Sequence, residues 1–195
     1  MLSKVRLFPI TAWGTDGYPT LGSPIQLATV SEGETEVNSI RIKLTPTTKS
    51  KTLEADDRQE VHTSVVGMTG ELECYCADAT ALAALYPVDQ DTNGNLHFLA
   101  GVQASKEVAI FLEGRAGEKG KKYQMWIYDA TFEPLEEELN TESDTAQSVT
   151  LSFNVKVINA GTTSGTKKDR THAKAYEGNT GYVSGEPTNS SLLKE

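Results

Sequence analysis

Residues 121–158 read KKYQMWIYDATFEPLEEELNTESDTAQSVTLSFNVKVI, and their pattern decides the fold class. In the second half, Val149, Leu151, Phe153, Val155 and Val157 alternate with Thr150, Ser152, Asn154 and Lys156. Successive strand residues point to opposite sides, so a period of two gathers the apolar side chains on one face. That is the pattern of a half-buried antiparallel strand. Residues 123–128 are apolar on both sides and predict a strand of their own. Between the two lies a loop crowded with carboxylates, including Glu136, Glu137 and Glu138, which reads as solvated and self-repelling. Nothing in the stretch has the spacing of a catalytic or metal site.

The same alternation recurs upstream. Val66, Met68, Leu72, Cys74 and Cys76 share one face with Glu71 and Glu73 opposite; Ile40, Ile42 and Leu44 share another with Arg41 and Lys43 opposite. Residues 108–113 are apolar on both faces and read as a central strand, followed by a Gly/Lys hairpin turn over 115–122. Asp78 is placed to cap a short helix, ATALAALY, whose stripe is Leu82, Leu85 and Tyr86 and which Pro87 ends. Residues 89–95, DQDTNGN, read as a turn. The polar stretch 45–62 turns acidic at Glu54, Asp56 and Asp57. It reads as a loop or as a protruding hairpin with its turn near Asp56-Asp57.

At the N-terminus, residues 5–10 contain Pro9 and read as an edge strand or arm. Residues 11–23 read as a loop, and residues 24–30 as a further strand. After Ile158 the chain becomes rich in Gly, Thr, Ser and Asn. An arm with little core of its own is expected there, with one strand at 170–176. The reading is thus a mainly β chain of eight strands: an antiparallel β-sandwich or partly closed barrel with one short flanking α-helix. Residues 1–158 form the domain, with an N-terminal arm at 1–24 and a protrusion at 45–62. Residues 159–195 form a C-terminal arm or tail.

Composition narrows the function classes. The 195 residues carry a formal net charge of −9, with a pI near 4.9. Tight nucleic-acid binding rests on Lys and Arg neutralising phosphates, so a stable DNA or RNA complex is not expected. The N-terminal sequence lacks an apolar run suited to a secretory leader, and no segment approaches the ~20 apolar residues that span a bilayer. A cytoplasmic protein with no membrane partner is expected, with Cys74 and Cys76 as buried thiols. His62, His97 and His172 lie far apart and match no catalytic or metal pattern. Residues 89–95 faintly resemble a calcium loop but have Ala100 where that loop needs a Glu. Glycines at 114–120 lack the Lys-Ser/Thr of a phosphate loop. No enzyme, cofactor or metal is expected.

Five ordered landmarks then carry a resemblance: KLTP at 43–46, LEADD at 53–57, GMTGELECYCAD at 67–78 before the Ala/Leu helix, YQMWIYDATFEP at 123–134, and LNTESD at 139–144 leading into TLSFNVKV. In that order the chain resembles the major tail proteins of long, non-contractile-tailed bacteriophages (siphophages) of Gram-positive hosts. The resemblance covers about residues 40–158. It implies a structural virion protein, six copies forming a ring and rings stacking into a tail tube that delivers double-stranded genomic DNA. It implies assembly in the host cytoplasm, with tape-measure, tail-terminator and distal tail proteins as further partners, and DNA passing without specific binding. A long hairpin or loop reaching neighbouring subunits would place inter-subunit contacts at Thr47, Lys49, Lys51, Leu53, Glu54, Asp56 and Asp57. Glu71 and Glu73 are the candidate lumen carboxylates. The competing reading is a soluble β-sandwich module binding carbohydrate or another surface ligand through Trp13, Tyr18 or Tyr182.

Overall fold

A computed structural model describes residues 2–25, 39–55, 58–74, 79–93, 95–99, 105–116, 121–134, 149–162 and 165–194. In chain order the elements are β1 (Leu2–Trp13), β2 (Pro19–Leu21), β3 (Ser39–Ala55), β4 (Arg58–Cys74), α1 (Ala79–Leu85), β5 (Val88–Gln90), β6 (Leu96–Phe98), β7 (Glu107–Ala116), β8 (Lys121–Phe132), β9 (Val149–Val155), β10 (Ile158–Ala160), β11 (Lys168–Arg170) and β12 (His172–Tyr176). A 3-10 turn follows at Asn189–Ser191. Eight strands form one antiparallel sheet in the order β2-β1-β7-β8-β9-β4-β3, with β12 also beside β8. The fold is mainly β and sandwich-like, and the sheet is not closed into a barrel. Two small hairpins, β5-β6 and β10-β11, lie off the sheet. The expectation of eight strands undercounts the twelve among the described residues because it passes over the three-residue strands β2, β5, β6, β10 and β11.

The central strands β1, β7 and β8 are apolar on both sides because each side has its own core. Val5, Leu7, Val108, Ile110, Leu112, Met125 and Ile127 face the first core, with Leu72, Leu151 and Phe153. Ala81, Leu85 and Tyr86 of the α1 region cover it. Phe8, Ala109, Phe111, Trp126 and Tyr128 face the second core, with Tyr18, Ile158, Ala160 and Leu192. The Trp126 ring lies 5.3 Å from Phe8 and 5.0 Å from Phe111, in tilted and edge-on contacts that aromatic quadrupoles favour. Trp126 and Phe153 are both buried, on opposite faces of the sheet.

A bulge in β8 reconciles its two halves. Ile110 pairs with Ile127 and Val108 with Ala130, so β8 advances three residues while β7 advances two. The extra residue, within 128–129, flips the side-chain parity. Ala130 and Phe132 thereby join Met125 and Ile127 in the first core. At the same point β8 changes its lateral partner. Residues 123–127 pair with β12, and residues 130–132 pair with β9.

Gly70 and Phe153 stand directly opposite on β4 and β9. The aromatic ring lies across the glycine, whose added Cβ would meet Phe153 Cζ at 2.2 Å. Leu151, Phe153 and Val155 of β9 are buried as the alternation predicts, but β9 ends at Val155 and Val157 is 41% exposed. Val66 likewise departs from the buried face assigned to it and is 47% exposed. Ile40, Cys76 and Asp78 fall outside the residues whose side chains are described; Cys74 is buried, its thiol 3.6 Å from Val149 O.

Both chain ends differ from the expected arms. β1 pairs with β7 over residues 2–9 and with β2 over residues 10–13, so it lies inside the sheet. Pro9 sits beside the irregularity between Ile10 and Ala12, where a strand tolerates a residue without an N–H. The 14–18 turn closes by Gly17 N–H donating to Gly14 O at 2.9 Å and Gly14 N–H to Tyr18 O at 2.9 Å. Gly17 has φ +84°, and a Cβ there would fall 2.1 Å from Asn159 O. Of the strand expected over 24–30, Ile25 bridges Leu7, and residues 26–30 lie outside the described residues.

The C-terminal segment supplies Ile158, Ala160, Ala175 and Leu192 to the interior, in place of an arm with little core. Side chains on the sheet hold its end as a strap. Glu186 pairs with Lys4 at 2.6 Å and with Arg6 at 3.2 Å. Gln124 Nε2 donates to Val183 O at 2.6 Å while Val183 N–H donates to Gln124 Oε1 at 3.0 Å. Tyr128 OH donates to Leu193 O at 2.8 Å. These partners come from distant sequence, which explains why local composition read as an arm.

Candidate assembly surface

The most distinctive surface element is a two-stranded ribbon. β4 pairs with β9 from Cys74–Val149 to Met68–Val155 and then leaves it. From Thr47–Gly67 to Ala55–Arg58, β3 and β4 pair with each other alone among the described residues. Nine residues of β3 at ~3.4 Å each carry the ribbon about 30 Å beyond the sheet. Residues 47–51 and 63–66 are exposed. Of the two readings of 45–62, the protruding hairpin is the one observed.

Local chemistry explains why this ribbon is regular yet exposed. The β-branched Thr and Val favour extended backbone, and charged and hydroxyl side chains tolerate water on both faces. Ser50 Oγ lies 3.1 Å from Thr63 Oγ1, and Ser64 Oγ donates to Lys49 O at 3.4 Å. At the ribbon's root the register slips between Thr47 and Thr48, which leaves Val66 as the extra residue on β4. Such a bulge bends and re-aims a strand. Val65 and Val66, 57% and 47% exposed, mark this root as apolar surface. The bulge breaks the alternation, so reading the pattern straight through it placed Val66 in the core.

Five of the seven expected contact residues lie on this element. Thr47, Lys49 and Lys51 are exposed on β3. Leu53 and Glu54 are in register with Glu60 and Gln59. Asp56 and Asp57 lie outside the described residues; the flanking Ala55 and Arg58 stand opposite one another. Glu71 and Glu73 sit on the polar face of the same two strands, on the side of β4 opposite Leu72. They are in register with Lys43 and Arg41, and Lys43 Nζ lies 3.5 Å from Glu71 Oε1. Glu133 joins this face, accepting from Asn154 Nδ2 at 3.0 Å. A shallow cavity of about 160 Å³ lies there between Lys43, Thr45, Thr69, Glu71, Glu133 and Ser152. Its charges of both signs make the face mildly acidic, without a basic stripe.

Asp91, His97 and His172 are other singled-out residues whose side chains are described; His62 falls outside them. Asp91 accepts from the amides of Asn93 and Asn95 at 2.8 and 2.9 Å and from Asn95 Nδ2 at 2.7 Å. These bonds hold its carboxyl below the ordinary value and close the β5-β6 turn. His172 is half-buried, with its pKa lowered by burial and by Lys174. His97 is exposed, its Nε2 3.8 Å from Asp91 Oδ2. Among the described residues, no group of three or more His, Cys, Asp or Glu could hold a metal ion. Among the described residues, no helix is long and apolar enough to cross a membrane. Of the aromatics a binding module would present, Tyr18 is buried and Tyr182 OH donates to Glu113 Oε2 at 3.3 Å, whereas Trp13 is 45% exposed. No protein-family model matches the chain, and no curated protein matches it.

Proposed function

We propose that the protein is a self-assembling structural subunit, the hexameric-ring building block of a siphophage tail tube that conducts genomic DNA. The observation that carries this reading is the ribbon. An isolated two-stranded hairpin is marginally stable in water, so about 30 Å of it outside the core calls for a surface to lie on. Copies of the same chain are the partner that the resemblance implies, and other tail components would bind the ends of the tube. Strand edges along the ribbon offer unpaired backbone groups to such a partner. An acidic chain with mixed charge on its polar sheet face suits a conduit that must not hold duplex DNA.

The test is electron microscopy of the concentrated protein, beside a variant lacking residues 49–57. Rings or hollow rods from the parent, and folded monomers from the variant, are expected. Compact monomers from the parent at every concentration, or tubes from the variant, would overturn the proposal.

A further inference from the structure

The bulge that splits the sheet also buries a carboxyl group. Asp129 is only 4% exposed, within the bulged step of β8. Its Oδ1 has no hydrogen-bond partner, nor does the buried Thr131 Oγ1 two residues on. The backbone around it makes both lateral connections of the split. Tyr128 N–H donates to Thr171 O at 3.2 Å on the β12 side, and Lys156 N–H donates to Asp129 O at 3.0 Å on the β9 side. Glu107 from β7 and Lys156 from the β9–β10 connection are the charges that bear on Asp129, and they form an ion pair with each other. The Lys156 ammonium is thus engaged by Glu107, to which it donates a hydrogen bond, and bears on Asp129 only through its charge.

We infer that Asp129, with Glu107 and Lys156, is a proton-operated latch at the point where the central strand changes partners. Protonation removes a buried charge and gives the carboxyl an O–H in its place. Ionisation leaves a buried charge in the bulge, with the cation that bears on it engaged by Glu107. Burial first, then the charge of Glu107, push the Asp129 carboxyl up to about 6, while Lys156 pulls the other way. Because the folded-state value lies above the unfolded one, this group's stabilisation is complete below the ordinary aspartate range. It is lost as the pH rises through about 6. The junction is thus tightest in mild acid and loosens towards neutrality.

The test compares urea unfolding of the full chain and Asp129→Asn between pH 4 and 8, with the Asp129 side-chain carbon followed by NMR in the parent. Relative to the variant, the parent's unfolding constant should rise about tenfold per pH unit between the two aspartate values, reaching up to about a hundredfold before levelling. Parallel pH profiles would overturn the latch. If the variant does not fold, the NMR titration decides: a midpoint near 6 supports the inference, and a midpoint at or below the ordinary aspartate value overturns it.

Discussion

Replacing Gly70 with alanine tests the register and facing of β4 and β9 together. The new methyl carbon would start 2.2, 2.5 and 2.7 Å from Phe153 Cζ, Cε2 and Cε1. Phe153 is 1% exposed, and its ring centroid lies 5.3 Å from that of Phe132, so it has little room to retreat. Overpacking of this kind costs about 1–3 kcal/mol. Phe153→Ala alone should cost about 3–5 kcal/mol, as for other buried aromatics. In the double variant the clash has gone, and alanine recovers the ~0.5–1 kcal/mol that glycine costs inside a strand. Gly70→Ala should therefore change from destabilising to stabilising in the Phe153→Ala background. Urea unfolding of the four proteins gives the coupling directly. Equal cost of Gly70→Ala in both backgrounds would show that the ring does not lie across residue 70.

Two further outcomes concern charge. Burial opposes ionisation of Glu186, but hydrogen bonds and charge from Lys4 and Arg6 hold its carboxyl below the ordinary value, so its contribution is present above that value and lost as the pH falls through the lowered one; the Val183 amide signal should report an acid release of the strap that Glu186→Gln lacks. Like-charged subunits of net charge −9 repel at low salt, so assembly followed by light scattering should improve as ionic strength rises from about 0.01 to 0.1 M and the Debye length falls from ~30 to ~10 Å.

Strands β7, β8 and β9 were legible because burial on one or both faces imposes a plain period or a continuous apolar run. Helix α1 was legible from its Ala/Leu stripe and Pro87. The hairpin of β3 and β4 was half legible: its polar composition allowed a loop, and only the ladder, from Thr47–Gly67 to Ala55–Arg58, separates the two readings. The β8 bulge was hidden because apolar residues on both faces mask a change of parity. Val66 and Val157 were misplaced for a related reason, since a bulge at one and a strand end at the other stop the alternation. The C-terminal strap was illegible because its anchors, Lys4, Arg6, Gln124 and Tyr128, are supplied by tertiary structure. Of the expected contact residues, Thr47, Lys49, Lys51, Leu53 and Glu54 share the ribbon, while Glu71 and Glu73 lie nearer its root, in register with Lys43 and Arg41.

The most direct test of the central claim is hydrogen exchange along residues 47–55 and 58–67, measured on dispersed protein and on assembled material. A ribbon outside the core exchanges quickly when alone and slowly once a neighbouring subunit covers it. The account predicts strong protection gained there on assembly, with β7 and β8 protected in both states. Equal protection of the ribbon in the two states would contradict it.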